Sequence, residues 1–121
     1  MPTKLKTLTP EKQVQTECMN YLAYLERSGK VYHYRTQSGA VNTVRRDGSK
    51  GFMRTGRAGT PDITCCDNQG RWVGIEVKSK IGRLSEIQKM TSEMVEKLGG
   101  IYLVVRSLSE LQEDFKNLNI I

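Results

Sequence analysis

The stretch G-T-P-D-I-T-C-C-D-N-Q-G-R-W-V-G-I-E-V-K, Gly59 to Lys78, decides how the chain is read. Its centre, Asn68-Gln69-Gly70, is a three-residue loop whose glycine supplies the left-handed conformation a hairpin of this length needs. The pattern on either side predicts strands over about 61–67 and 71–78. With Asp67 facing Arg71, pairing back along both strands sets Asp62 opposite Glu76, with thirteen residues between them in sequence. Directly opposed residues on one sheet face have β-carbons about 4.5–5.5 Å apart, and two carboxylates so placed repel each other unless a cation lies between them. Lys78 follows on the same face, about 6.6 Å along the strand. Val73, Ile75 and Val77 point the other way, into a core. A divalent ion accounts for the acid pair, and hard oxygen ligands favour magnesium or manganese over zinc.

Around this hairpin the remaining elements fall into an α/β order. Thr9-Pro10 is a helix start, a capping hydroxyl followed by proline at the first helical position. Val14, Cys18, Tyr21, Leu22 and Leu25 recur at helical spacing up to the stop at Ser28-Gly29. Val31 to Thr36 reads as a short strand, and residues 37–59 as a long loop or hairpin arm, poor in apolar residues and rich in Gly and Arg. Ser85 and Gln88 form a capping box ahead of a helix carrying Ile87, Met90, Met94, Val95 and Leu98. Gly99-Gly100 ends it, Ile101 to Arg106 is a buried strand, and a last helix runs from about Ser109 to Asn117. The expected fold is a mixed sheet of about four strands flanked by helices.

Composition narrows the function classes. The chain has 121 residues, 37% of them hydrophobic, which suits one globular domain over 1–121. Its longest apolar run, Ile101 to Val105, is far too short to cross a membrane. Met1 to Pro10 lacks the apolar core of a signal peptide, so a cytoplasmic location is expected. Three cysteines, two of them adjacent, make neither a disulfide framework nor a C-x-x-C metal pair. They are read as small apolar packing residues. His33 is the only histidine and sits in a strand, which argues against a Ser-His or Cys-His mechanism.

The net charge of +6 suggests an anionic partner, nucleic acid before membrane. Arg35, Arg45, Arg46, Lys50, Arg54 and Arg57 stand against the single acid Asp47, so +5 of the +6 lies within residues 35–57. Backbone phosphates are the natural partner of such an arm. A third acid belongs to the first helix. At about 100° per residue, Glu11 lies near the centre of the apolar stripe, so its carboxylate is expected to extend the buried face toward the sheet.

P-D, thirteen residues, then E-V-K resembles the PD-(D/E)XK (restriction-endonuclease-like) nuclease superfamily. The wider ordered set is Glu11-x-x-x-Gln15, Arg35 with Ser38-Gly39, G-T-P-D-I, G-I-E-V-K and Gly82-Arg83-Leu84-Ser85-x-x-Gln88. It resembles one branch, the stand-alone virus-type replication-repair nuclease (VRR-NUC) domains of phages, from about Glu11 to Arg106. The resemblance implies a magnesium or manganese site made by Asp62, Glu76 and the carbonyl of Val77, with Glu11 direct or through water. It makes Lys78 the residue that orients or activates the attacking water, and puts Gln88 beside the lysine or the substrate. Arg35, Ser38, Arg45, Arg46, Lys50, Arg54 and Arg57 are the expected DNA contacts. Cys65-Cys66 and Ser79-Lys80 stand where the family usually has other side chains.

The activity implied is metal-dependent hydrolysis of phosphodiesters in branched DNA, four-way junctions foremost, in a bacterial or phage-infected cell. Flap or splayed-arm cleavage and a non-catalytic DNA-binding module are the alternatives. No organic cofactor and no membrane are expected. Two nicks related by a junction's two-fold symmetry call for a homodimer. Tyr21, Tyr24, Leu118, Ile120 and Ile121 are the apolar residues that a small core leaves over for such a contact.

Overall fold

The computed structural model describes residues 8–36 and 39–121, with only the backbone described for 39–41, 54 and 55. The elements run α1 (Pro10–Arg27), β1 (Val31–Arg35), β2 (Gly39–Val44), β3 (Lys50–Thr55), β4 (Ile63–Asp67), β5 (Trp72–Val77), α2 (Glu86–Lys97), β6 (Ile101–Val105) and α3 (Leu108–Asn117). The protein is α/β, with a mixed four-stranded sheet ordered β1-β4-β5-β6. β1, β4 and β5 are antiparallel neighbours, and β5 and β6 are parallel, joined by the α2 crossover. No helix among the described residues is long and apolar enough to cross a membrane.

The termini of the helices follow their capping residues. Thr9 Oγ1 accepts the Lys12 N–H at 3.3 Å with Pro10 at the first turn. Ser85 and Gln88 make both reciprocal capping-box bonds, at 3.2 and 3.0 Å. The segment at 37–59, left open between loop and arm, contains a hairpin: β2 and β3 pair only with each other, in a separate two-stranded sheet. Ser38 lies outside the described residues, as does the side chain of Arg54.

Strand alternation sorts the main sheet into two unlike faces. Ile63, Cys65, Val73, Ile75, Val77 and Val105 point to one side, where Cys18, Leu22 and Leu25 of α1 and Leu111 and Phe115 of α3 close a dry core. Burial pushes the thiols of Cys18 and Cys65 up to about 11 and about 12, so both act as packing groups. Cys66 departs from the expectation: the next residue along β4 faces the opposite way and is exposed.

One expectation about apolar material is corrected. Ile120 is buried, and Tyr21 and Leu118 pack against the core, leaving only Tyr24 and Ile121 of the proposed surplus exposed. Asn119 takes a positive φ of 60° and turns the chain so that the Ile120 N–H reaches Phe115 O at 2.9 Å. Meanwhile α2 buries none of its residues. Ile87, Met90, Met94 and Leu98 leave 52–76% of their surfaces in solvent, so the stripe on this helix is a surface feature and not core.

Candidate metal and nuclease site

The second face of the sheet carries the polar rung. The register Ile63↔Ile75, Thr64↔Gly74, Cys65↔Val73 and Cys66↔Trp72 continues to Asp62 beside Glu76, as counting back from the turn predicts. Asp62 is held at the mouth of the hairpin by both ends of its own peptide and side chain. Its carbonyl accepts the Thr36 N–H of the β1 side at 2.8 Å, and its Oδ2 accepts the Val77 N–H of the β5 side at 2.9 Å.

The preceding G-T-P is shaped for the same purpose. Gly59 has φ +85°, and a β-carbon there would fall 2.5 Å from the Ile87 side chain. Pro61 is fully buried. A β-carbon on Gly74 would sit 2.6 Å from both the Pro61 ring and Trp72, so the glycine lets proline and tryptophan close over the strand. These contacts fix the backbone one residue before Asp62.

Glu76 is 3% exposed. Gln88 Nε2 donates to its Oε2 at 3.2 Å, while the same side chain completes the capping box, so the active-site bond of Gln88 goes to the acid and not to the lysine. Burial pushes the Glu76 carboxyl up to about 8. A hydrogen bond to Asp62 that only the protonated acid can donate adds to this, as does the Asp62 charge. The Lys78 ammonium acts the other way, and Glu11 contributes a smaller repulsion. Beside Asp62, Glu76 therefore holds its proton more tightly than an ordinary carboxyl. Lys78 extends from the end of β5, its N–H bound to Val105 O at 3.0 Å. The Arg106 guanidinium ties down the loop that follows, donating to the carbonyls of Ser79 and Gly82.

Glu11 is placed otherwise than expected. It is exposed in the first turn of α1 and does not extend the buried face. Among the described residues no three His, Cys, Asp or Glu side chains gather closely enough to form a metal cage by themselves. The donor chemistry still suits a hard dication. Two carboxyls share one rung, and burial beside the second acid raises the Glu76 pKa above its ordinary value.

Sequence reasoning missed Tyr102. It lies on β6 next to Gly74, on the same face as the acids. Its hydroxyl is buried without a hydrogen-bond partner, and its pKa is raised by burial and then by the charges of Glu76 and Asp62. Only the β5–β6 register would have revealed it.

The expected DNA contacts occupy two places. Arg35 ends β1, exposed, and Arg57 lines a groove of about 580 Å³ between the G-T-P segment and α2, together with Trp72, Met90, Met94 and Leu98. Arg45, Arg46 and Lys50 are exposed around the β2–β3 turn. Arg45 also braces that turn, donating to Ser49 Oγ and Lys50 O at 3.3 and 3.1 Å. His33 has a structural role, with its Nδ1 3.0 Å from Glu26 Oε1. Compared with family models, curated proteins and solved structures, the chain finds no match.

Proposed function

We propose that the protein is a magnesium- or manganese-dependent DNA endonuclease with a PD-(D/E)XK core of the VRR-NUC type, acting on branched DNA and foremost on four-way junctions. The observation that carries this reading is the Asp62–Glu76 rung, with Glu76 buried and Asp62 half-buried, and Lys78 two residues beyond Glu76. A structural role does not explain it, because two like acids on one rung cost stability. The intact set of three also argues against a DNA-binding module without activity.

Asp62, Glu76 and the Val77 carbonyl would hold the ion, with Glu11 of α1 reaching it directly or through water. When bound, such an ion would supply Lewis-acid charge neutralisation at the scissile phosphate. The chain's own groups do the rest. Glu76 would have to release its proton to serve as a ligand. Gln88 keeps the Glu76 carboxylate oriented through its amide. Lys78, the cation of the rung, orients the attacking water and stabilises charge growing on the phosphate. Arg35, Arg45, Arg46, Lys50, Arg54 and Arg57, with Ser38, are the proposed contacts to backbone phosphates.

The working unit is proposed to be a homodimer, supported by the exposed stripe on α2. Laid antiparallel about a two-fold axis, two such helices set Ile87 against the partner's Leu98 and Met90 against the partner's Met94. Glu86 then faces the partner's Lys97 at both ends, so the surface is self-complementary in charge as well as in shape. A flap or splayed-arm nuclease is the second reading, favoured by two exposed tyrosines beside the acids.

The test is a cleavage map of labelled junctions, flaps and linear duplexes for the wild type and Lys78→Ala. The variant is expected to bind DNA normally and to turn over about 10²–10³-fold more slowly, since its role lies in the transition state. Full activity of Lys78→Ala overturns the lysine's role.

A further inference from the structure

The sequence V-Y-H-Y-R of β1 alternates buried and exposed positions along the edge of the sheet. Val31 enters the core, and His33 is tied to Glu26 by its backbone N–H and its ring. Tyr32 and Tyr34 do neither: 64% and 50% of their surfaces face solvent. Large aromatic rings on an edge strand are a liability for aggregation, and these two contribute nothing to the core on the other face. Their ring centroids are 6.2 Å apart with planes tilted by 56°, so each ring steadies the other.

Their position relative to the acids is set by register. Tyr32 pairs with Cys66, which pairs with Trp72, and Tyr34 pairs with Thr64, which pairs with Gly74. Gly74 and Glu76 share a face, so both tyrosines stand on the face of the acid rung. The rung itself follows Tyr34 by two residues of strand, about 6.6 Å. α2 packs on the β6 side of this face, leaving the β1 side open. The strand then ends in exposed Arg35, and Arg45, Arg46 and Lys50 follow in sequence.

We propose that Tyr32 and Tyr34 form a stacking platform for unpaired bases of the DNA strand lying next to the scissile phosphate. The proposal rests on the nuclease reading for the identity of its polymer and names the substrate feature recognised: bases exposed at a branch, a splayed arm or a melted junction centre. Aromatic rings on an open sheet face, flanked by cations that meet the phosphates, are the chemistry by which proteins hold single strands without regard to sequence. An apolar protein partner fits less well, because exposed Arg35 follows Tyr34 directly and favours a polyanion.

The test is fluorescence anisotropy in EDTA, with a labelled oligothymidylate and with a labelled duplex closed by loops at both ends. The double variant Tyr32→Leu/Tyr34→Leu is compared with Tyr32→Phe/Tyr34→Phe, each checked for an unchanged melting temperature. The leucine pair is expected to lose about 5- to 150-fold in affinity for the oligothymidylate, the range for removing a stacked base contact. Its affinity for the closed duplex should stay within twofold, and the phenylalanine pair should bind both like the wild type. Equal losses on both probes, unchanged binding of the oligothymidylate, or no rescue by phenylalanine would overturn the platform. A wild type that binds the duplex but shows any of these outcomes loses the platform alone, whereas one that binds neither probe contradicts the nuclease reading as well.

Discussion

Both ends of the β4–β5 hairpin bury an acid, and the chain treats the two in opposite ways. At the turn, Asp67 Oδ1 accepts the N–H groups of Gln69 and Arg71 at 2.8 and 2.9 Å, and its Oδ2 takes the Arg71 guanidinium at 2.7 Å. Burial alone would raise this carboxyl, yet the Arg71 backbone and side chain and the Gln69 N–H bring it below the usual range. At the mouth, Glu76 receives the Gln88 amide and, in place of a cation, a second acid, so its carboxyl moves up to about 8. A fully satisfied buried acid is part of the fold. One left with a like-charged neighbour marks a place built for a group from outside the chain.

Removing the satisfied acid should be the more damaging change. Asp67→Ala leaves the Arg71 guanidinium only its bond to Leu118 O and frees two turn N–H groups, and is expected to cost about 3 kcal/mol, the lower end for breaking a buried pair. Urea unfolding at pH 7 checks this. Glu76→Gln should cost no stability there, because it removes a strained acid and keeps the partner of Gln88.

The pH dependence separates the two ends by sign. Glu76 has a folded pKa above its unfolded one, so its contribution is fully present below about pH 4.5 and is lost as pH rises through about 8. Asp67 has a folded pKa below its unfolded one, so its contribution is present above that unfolded value and is lost as the solution is made more acidic. Melting curves of the metal-free protein should therefore show the wild type losing stability relative to Glu76→Gln between pH 5 and 9. Relative to Asp67→Asn, the wild type should lose its advantage only in acid. Parallel curves for Glu76→Gln and the wild type would break the contrast.

The smallest effect on folding is expected at α2, which buries none of its residues. Leu98→Glu should change stability by no more than about 0.5 kcal/mol, while light scattering is expected to show the proposed dimer dispersing. Glu86→Lys and Lys97→Glu should each be monomeric alone and form a mixed dimer when combined, since both end pairs are then attractive. A dimer unaffected by Leu98→Glu moves the interface elsewhere.

The hairpin was legible because its register is set locally. One turn of known loop length and one glycine in the left-handed region, Gly70 at φ 76°, determine every pairing back to Asp62 and Glu76. Gln88 was legible from its capping spacing, although its second bond to Glu76 needed the sheet. What sequence could not supply was the covering of surfaces. A helical stripe predicts one apolar face but not whether anything lies against it, and so α2 was read without its exposure. The helical angle of Glu11 was counted from the stripe of α1, yet its first turn is exposed. Tyr102 depended on the register of parallel strands joined through a helix, which no turn specifies.

The central claim is that the Asp62–Glu76 rung is a metal-dependent phosphodiesterase centre. Its most direct test is cleavage of an end-labelled four-way junction by the wild type and by Glu76→Gln, side by side, in magnesium and in EDTA. The account predicts paired nicks by the wild type in magnesium only, ending in 5′-phosphates and 3′-hydroxyls, and no cleavage by a folded Glu76→Gln that still binds the junction. Magnesium-dependent cutting by Glu76→Gln at the wild-type rate, or cutting by the wild type in EDTA, would contradict it.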